Sequence, residues 1–333
     1  MITSTPKILI TGVAGLIGSH LAEHLLGKGY DVYGVDNLSG GYLENVPDGV
    51  ELHNGELEDK KWVRGFFKRK KFDYVYHLAA YAAEGLSPFI RNFNYSNNLL
   101  ASVNVINGCI SGNVKKIIFT SSMAVYGKGR PPFNESQKPS PEDPYGIAKY
   151  AVEMDLEQAG KQFGLSYSII RPHNVIGVRQ NIWDKYRNVI GIWIRRVLRG
   201  ESIVIFGDGE QKRAFSDIKY LMEPMEMLLN ECNGQVFNIG SDKEYSLNEV
   251  ADIVKEVATD FDCNPTIEHL EARREVKYAY CNHDKAKTLL GFNDNTDIKE
   301  TIREMFFWAM QQSDREVKLM DYEIDRGMYQ YWK

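Results

Sequence analysis

Two residues of this sequence stand four apart with side chains that can share a proton. They are Tyr145 and Lys149 in SPEDPYGIAKYAVEMDL. Residues i and i+4 lie on one helix face, and an ammonium group beside a phenol favours the phenolate, lowering its pKa from about 10. Such a phenol can act as general acid or general base. Spacing alone decides little in a chain with 19 tyrosines, because Tyr329 and Lys333 repeat it at the far end. The second pair serves as a control, and the elements around Tyr145 must show why the first differs.

Those elements alternate. KILIT (Lys7 to Thr11), DVYGVD (Asp31 to Asp36), DYVYHLA (Asp73 to Ala79), KKIIFTSS and SYSII (Ser166 to Ile170) read as short apolar strands. Helical patterns separate them: Gly15 to Lys28, KKWVRGFFKR, Phe89 to Ser111 and the segment opened by Pro144. Apolar strands alternating with helices predict a doubly wound α/β fold, a parallel sheet covered on both faces. The second half is less regular. Helices are expected at Arg187 to Arg199, Ile218 to Glu231, Leu247 to Thr259 and Asp297 to Gln312, and strands at SIVIF and QVFNIG. The expected division is a Rossmann-like unit over 1–175, to which 215–240 returns. A smaller α/β substrate-binding unit takes 176–214 and 241–333, lying over the C-terminal strand ends where ligands of open α/β sheets bind.

The first strand runs into ILITGVAGLIGSHLAEHLL, with Gly12, Gly15 and Gly18 spaced G-x-x-G-x-x-G. Glycines permit a tight turn and close approach of backbone to a pyrophosphate, and the helix start, at Leu16 and Ile17, offers unpaired N–H groups. Asp36 ends the second strand, where an acid hydrogen-bonds a ribose 2′-hydroxyl. It would also repel a 2′-phosphate, so NAD is expected over NADP. Asn37 follows it. In NGELED, Glu56 either accepts from an adenine amino group beside Leu57 or is a solvated loop acid. At HLAA, residues Leu78, Ala79 and Ala80 pass the cofactor as backbone, and His77 reads as structural.

Composition bounds the rest. The 333 residues are 43% hydrophobic and 26% charged, with net charge −5. That is globular composition, without the basic face that nucleic acid calls for. No apolar run approaches the ~20 residues of a membrane span, and MITSTPKILIT lacks a signal peptide's form. Cytoplasm is the expected compartment. Cys109, Cys232, Cys263 and Cys281 lack paired metal-ligand spacing, and no metal is expected.

With Asp36, HLAA, SSMAVYG and YGIAK in this order, the chain resembles the extended short-chain dehydrogenase/reductase family, in its nucleotide-sugar epimerase and dehydratase group. The resemblance runs from about Lys7 to Trp308. It implies that Tyr145, Lys149 and Ser122 are catalytic, with Ser122 at a strand end bonding the substrate oxygen and Lys149 bonding the nicotinamide ribose. Related dehydratases carry Asp and Glu directly after the catalytic Ser or Thr, where this chain has Met123 and Ala124. Related 3,5-epimerases carry a cysteine at the position of Ala124. What remains is the equipment of a 4-epimerase, expected to act on a UDP-hexose. Glu84 in YAAEGLS is an acid or base that could redirect the chemistry, or a loop carboxylate at the cofactor mouth. The rival readings are a 3,5-epimerase, a decarboxylase, a net dehydrogenase and a non-catalytic NAD-binding regulator.

The resemblance also points to substrate contacts. Asn174 in RPHNVIG matches an asparagine on the diphosphate, and Asn188 and Val189 match a segment around the uridine. Arg213 in FGDGEQKRAF matches a phosphate clamp, although Ala214 replaces the acid that usually follows it. Arg273 or Arg274 in EARREV would reach a phosphate, the register being open. The helix from Phe89 to Ser111 and the Tyr145 helix would pair with their copies in a homodimer.

Overall fold

The structure is a computed structural model that describes residues 5–273, 276–316 and 319–332. Seven strands form its main sheet: β1 (Lys7–Thr11), β2 (Asp31–Asp36), β3 (Glu51–Asn54), β4 (Tyr74–His77), β5 (Lys116–Thr120), β6 (Ser166–Pro172) and β11 (Gln235–Ile239). Their order is β11-β6-β5-β4-β1-β2-β3, and every pair is parallel. The chain leaves β1 in one direction to β2 and β3, then returns to build β4, β5, β6 and β11 on the other side. The reversal lies between β1 and β4, a crevice where such sheets bind ligands.

Helices cover both faces. On one side α1 (Leu16–Gly27), α7 (Met222–Met227) and α9 (Asp284–Leu290) share a cluster with Ile8, Ile10, Ile118 and Phe237. On the other, α2 (Lys60–Lys70), α4 (Ala101–Ser111) and α5 (Pro144–Phe163) close over Leu9, Val75, Ile117 and Phe119. These strand residues alternate between the two clusters, as a period of two requires. The sequence reading placed Asp284–Leu290 with the substrate unit. It packs on the sheet instead, because its apolar side, Ala286 and Leu290, is buried in the first cluster.

The helical pattern from Phe89 is three pieces end to end: α3 (Arg91–Tyr95), a π-helical turn at Ser96–Leu100, then α4. The expected Ile218-to-Glu231 helix is also shorter, a 3-10 turn at Ile218–Leu221 followed by α7.

A second cluster system holds α6 (Val189–Leu198), α8 (Leu247–Thr259) and α10 (Ile298–Met310), packed around Trp193, Ile205, Val254 and Phe306. Its strands are short. β7 (Val175–Ile176) pairs with β10 (Ser216–Asp217), β8 (Ile203–Phe206) with β13 (Ile267–Leu270), and β9 (Lys212–Ala214) lies between β12 (Glu244–Ser246) and β14 (Tyr278–Ala279). Among the described residues no helix is long and apolar enough to cross a membrane.

Candidate active site

A cavity of about 610 Å³ opens at the C-terminal strand ends, lined by the glycine loop on one side and by α6, β8 and β9 on the other. Strand register explains why the motifs meet there. Thr11 pairs with His77, His77 with Phe119, and Thr11 with Val35. The residues at or just past these strand ends, Gly12, Asp36, Leu78 and Ser122, are thereby brought to one edge.

The glycine loop fits a pyrophosphate. Gly12 has φ +74°, and a Cβ there would stand 2.8 Å from the backbone of Ala79. A Cβ on Gly18 would reach 2.1 Å from the Gly12 carbonyl, so Gly18 serves close packing of helix on loop. Gly15 is the N-cap of α1 and gives no side-chain cap, so the first N–H groups, at Leu16 and Ile17, have no side-chain acceptor. That is a ready site for anionic oxygens. Asp36 is 9% exposed and accepts from the N–H of Ala14 (2.9 Å) and of Leu38 (2.8 Å). Burial raises its pKa, and these backbone hydrogen bonds oppose the rise. The same carboxylate therefore fixes the glycine loop. Asn37 donates to Glu56 at 3.0 Å, and Leu57, Leu78, Ala79 and Ala80 line the same end. His77 is buried between the hydroxyls of Thr11 and Ser102, both at 2.8 Å, and burial lowers its pKa to about 3.

α5 carries Tyr145 and Lys149. Asp143 caps it by accepting from the N–H of Gly146 (2.9 Å), Pro144 occupies its first turn, and Gly164 ends it with φ +72°. Such a start and stop are written in the sequence. One stripe of this helix, Tyr145, Lys149 and Glu153, is buried. The Lys149 Nζ donates to the Thr120 carbonyl at 2.8 Å and lies 5.9 Å from the Tyr145 ring centre. Burial lowers the Lys149 pKa to about 7, with Glu153 opposing.

The surroundings of Tyr145 add groups beyond Lys149. Burial raises the phenol's pKa, and the contribution that lowers it most is a hydrogen bond with Ser122. Lys149 donates to the Thr120 carbonyl and stands 5.9 Å from the Tyr145 ring centre, while burial is the largest influence on the phenol. Glu84, on the cavity wall, adds to the rise through its negative charge.

Sequence reasoning missed what holds this stripe. Behind it, the buried Arg171 donates to Glu153 through Nε (2.9 Å) and Nη2 (2.5 Å), and the Ser121 hydroxyl donates to the same carboxylate. Ser87 accepts from the Tyr145 N–H at 3.2 Å and donates to Asp143 at 3.3 Å. The i, i+4, i+8 spacing of Tyr145, Lys149 and Glu153 was the available signal.

The opposite wall is built otherwise. Asn188 has φ +66° and caps α6, and its buried amide nitrogen, on the cavity wall, has no partner among the described residues. Val189 begins the helix beside it. Asn174 lines the cavity but donates to the Ala214 carbonyl at 3.0 Å. The Arg213 guanidinium donates to the carbonyls of Lys212 (2.9 Å), Val276 (2.5 Å) and Lys277 (3.3 Å), tying β9 to the segment before β14. Arg273 lies 3.7 Å over the Phe206 ring. Arg274 and Lys333 lie outside the described residues, whereas Tyr329 packs against Phe89 and Trp332.

A glycine loop, an acid at the end of β2 and a Ser-Tyr-Lys set thus stand at one sheet edge, and comparison with known proteins adds the family. Residues 8–240 match the NAD dependent epimerase/dehydratase family. The chain belongs to that family. Its cofactor is NAD. A putative UDP-glucose 4-epimerase of Methanocaldococcus jannaschii is 33% identical over 311 residues, covering 92% of this chain and 99% of the relative. A UDP-N-acetyl-alpha-D-glucosaminuronate decarboxylase of Bacillus cytotoxicus is 30% identical over 322 residues, covering 91% and 97%. The crystal structure of a Thermotoga maritima UDP-glucose 4-epimerase with UDP-glucose superposes with TM-score 0.85 at 33% identity, covering 91% of this chain and 98% of that one.

Proposed function

We propose that the protein is a nucleotide-sugar 4-epimerase acting on a UDP-hexose. The observation that carries this reading is the convergence of Ser122, Tyr145 and Lys149 beside the glycine loop. Their sequence neighbours, Met123 and Ala124, have side chains that cannot move protons. The relatives that turn over UDP-sugars support the choice of nucleotide.

NAD would be held by the Gly12–Gly18 loop and the first N–H groups of α1, with Asp36 and Asn37 at the adenine ribose. Glu56 and Leu57 would lie at the adenine, Leu78 to Ala80 along the backbone, and Lys149 at the nicotinamide ribose. When bound it supplies a reversible two-electron oxidation at the sugar carbon. Tyr145 takes the proton of the sugar 4-hydroxyl and later returns it. Ser122 would give its one hydroxyl proton to the phenolate or to the sugar oxygen, whichever carries the charge. The buried Arg171–Glu153 pair holds α5, so the phenol keeps its place while the sugar changes. Asn188 and the Val189 N–H would meet acceptors of the nucleotide, with Asn174, Arg213 and Arg273 on the wall around it.

The sheet with residues 1–175 and 215–240 serves the cofactor in this reading, and 176–214 with 241–333, apart from α9 on the sheet, serves the substrate. The protein would work in the cytoplasm as a homodimer. Leu100, Ile147 and Met154, on the π-turn and α5, expose apolar side chains that a copy of the same surface would cover. One observation favours a second reading. Glu84 on the cavity wall bears electrostatically on Tyr145, and a carboxylate there suits chemistry at a neighbouring sugar carbon, as in a decarboxylase. Incubation with a panel of UDP-sugars followed by mass spectrometry and sugar separation tests both. An isomeric product of unchanged mass supports epimerisation, and loss of carbon dioxide from a uronate would replace it.

A further inference from the structure

The C-terminal segment Leu319–Trp332 lies beyond the stretch matched by the family, yet it is tied to both walls of the cavity. On the sheet side, Glu323 accepts from the N–H groups of Asn92 (2.7 Å) and Phe93 (2.8 Å), and its own N–H donates to the Phe89 carbonyl at 2.9 Å. Trp332 is 3% exposed and packs with Ala83, Leu86 and Phe89, on the loop that also carries Glu84. On the substrate side, the Trp332 carbonyl accepts from Lys185 Nζ (3.0 Å) and from the Tyr322 hydroxyl (2.8 Å). The Tyr331 hydroxyl accepts from Arg196 of α6 at 3.1 Å, and its ring meets Phe206 of β8 edge-on at 5.2 Å. Tyr331 and Phe206 both line the cavity, and the Arg273 guanidinium spans from Phe206 to the Trp332 ring, at 3.7 and 5.5 Å.

We propose that Leu319–Trp332 is a strap that completes the nucleotide end of the cavity, with Tyr331 a specificity-determining wall for the nucleoside diphosphate. The inference rests on the reading of the protein as a nucleotide-sugar enzyme. In that reading the reacting sugar carbon stands at Tyr145 and Ser122. The nucleotide then extends toward α6 and β8, the wall to which Tyr331 is pinned. A planar aromatic ring next to a planar guanidinium suits a flat base and an adjoining phosphate. Trp332 acts at one remove. It anchors the strap between the Glu84 loop and Tyr186, so its loss should be felt through Tyr331.

The test uses the full chain with its own bound NAD, and uridine diphosphate as the probe in calorimetry. Tyr331→Ala and Trp332→Ala should each raise the Kd for uridine diphosphate and the KM for the UDP-sugar about tenfold, with kcat changed by less than about threefold. Retention of NAD by both variants reports that the sheet has folded. In the wild type, uridine diphosphate should slow tryptic cleavage after Arg326. A wild type that binds the probe in a Tyr331-dependent way but turns over no UDP-sugar would sink the proposed reaction and uphold the strap. Unchanged Kd and KM in both variants would overturn the strap whatever the reaction. So would a loss confined to kcat, or a wild type that does not bind uridine diphosphate.

Discussion

The two walls of the cavity hold polar side chains of similar kinds to different ends. On the sheet side, reactive groups hang from regular elements: strand ends fixed in parallel register, and one stripe of a 20-residue helix. On the other side, polar groups sit on strands of two to four residues and on loops, and several spend their donors on the protein itself, although the Asn188 amide nitrogen has no partner among the described residues. Arg213 binds three backbone carbonyls, Asn174 binds the Ala214 carbonyl, and Arg273 lies against ring faces. The difference teaches where each kind of selectivity lives. Proton transfer needs atoms held to a fraction of an ångström, which long elements and a buried ion pair provide. Substrate choice can rest on a wall assembled from short pieces, each adjustable without disturbing the chemistry.

The largest expected effect strikes the first wall. Tyr145→Phe keeps the buried ring and deletes the oxygen that moves the proton. Turnover should fall by ~10²-fold or more, with NAD retained and nucleotide affinity nearly unchanged. The Ser122 hydrogen bond lowers the phenol's pKa, so its removal in Ser122→Ala must raise that pKa further. The limb of the pH–rate profile that reports phenol deprotonation should then move to higher pH, and part of the lost neutral-pH activity should return in alkali. A limb that moves down, or stays, would show that Ser122 does not set the phenol's charge.

Next comes the buried pair behind the stripe. Arg171 and Glu153 are both under 10% exposed, and Arg171→Leu leaves a carboxylate buried without its cation. Breaking such a pair costs about 3–5 kcal/mol, to be read as a fall in the chemical-denaturation midpoint. On the opposite wall, Asn188→Ala removes one helix cap and should cost about 1 kcal/mol. Equal losses at the two positions would erase the contrast between the walls.

A smaller effect is expected at Asp36. Replacing it with Ala removes the proposed ribose acceptor, one backbone anchor of the glycine loop at Ala14 and a local bond from Leu38. Affinity for NAD should drop by about tenfold or more, since hydrogen bonds to a charged group are worth about 1.5–3 kcal/mol. Preference over NADP should relax because the repelling charge is gone. Fluorescence titration with each dinucleotide checks both, and an unchanged preference would remove Asp36 from the cofactor site.

The sheet side was legible in the sequence because its signals are periodic. Strand alternation, the glycine spacing and the Asp-Pro start of α5 each follow from backbone geometry, and register then brings Gly12, Asp36 and Ser122 together without further information. The other wall was not, because a charged residue's partner there depends on tertiary contacts. Nothing local in FGDGEQKRAF says that Arg213 will spend its donors on Val276 and Lys277. The second partner of Lys149 was hidden for a related reason. Spacing put the ammonium and the phenol on one face, but nothing local shows that the carbonyl at the end of β5 accepts from the same ammonium.

The last effect expected is no effect at all, and it bears on whether the sheet-side wall acts alone. Met123 and Ala124 follow Ser122 and cannot exchange protons, so carbons 3 and 5 of the sugar should meet no base on that wall. Turnover in deuterium oxide should then yield an isomer with no deuterium on carbon, and a sugar labelled at carbon 4 should keep its label through many turnovers. The group that could spoil this result is Glu84, on the loop that closes the cavity. Its charge raises the Tyr145 pKa, and both residues line the same cavity. Deuterium at carbon 3 or 5 that disappears in Glu84→Gln would make this carboxylate a second base. The chemistry would then be shared with a loop, against the division that the two walls suggest. A clean carbon skeleton in both proteins would leave Glu84 as a charge that tunes the phenol, and its removal should shift the Tyr145 limb to lower pH.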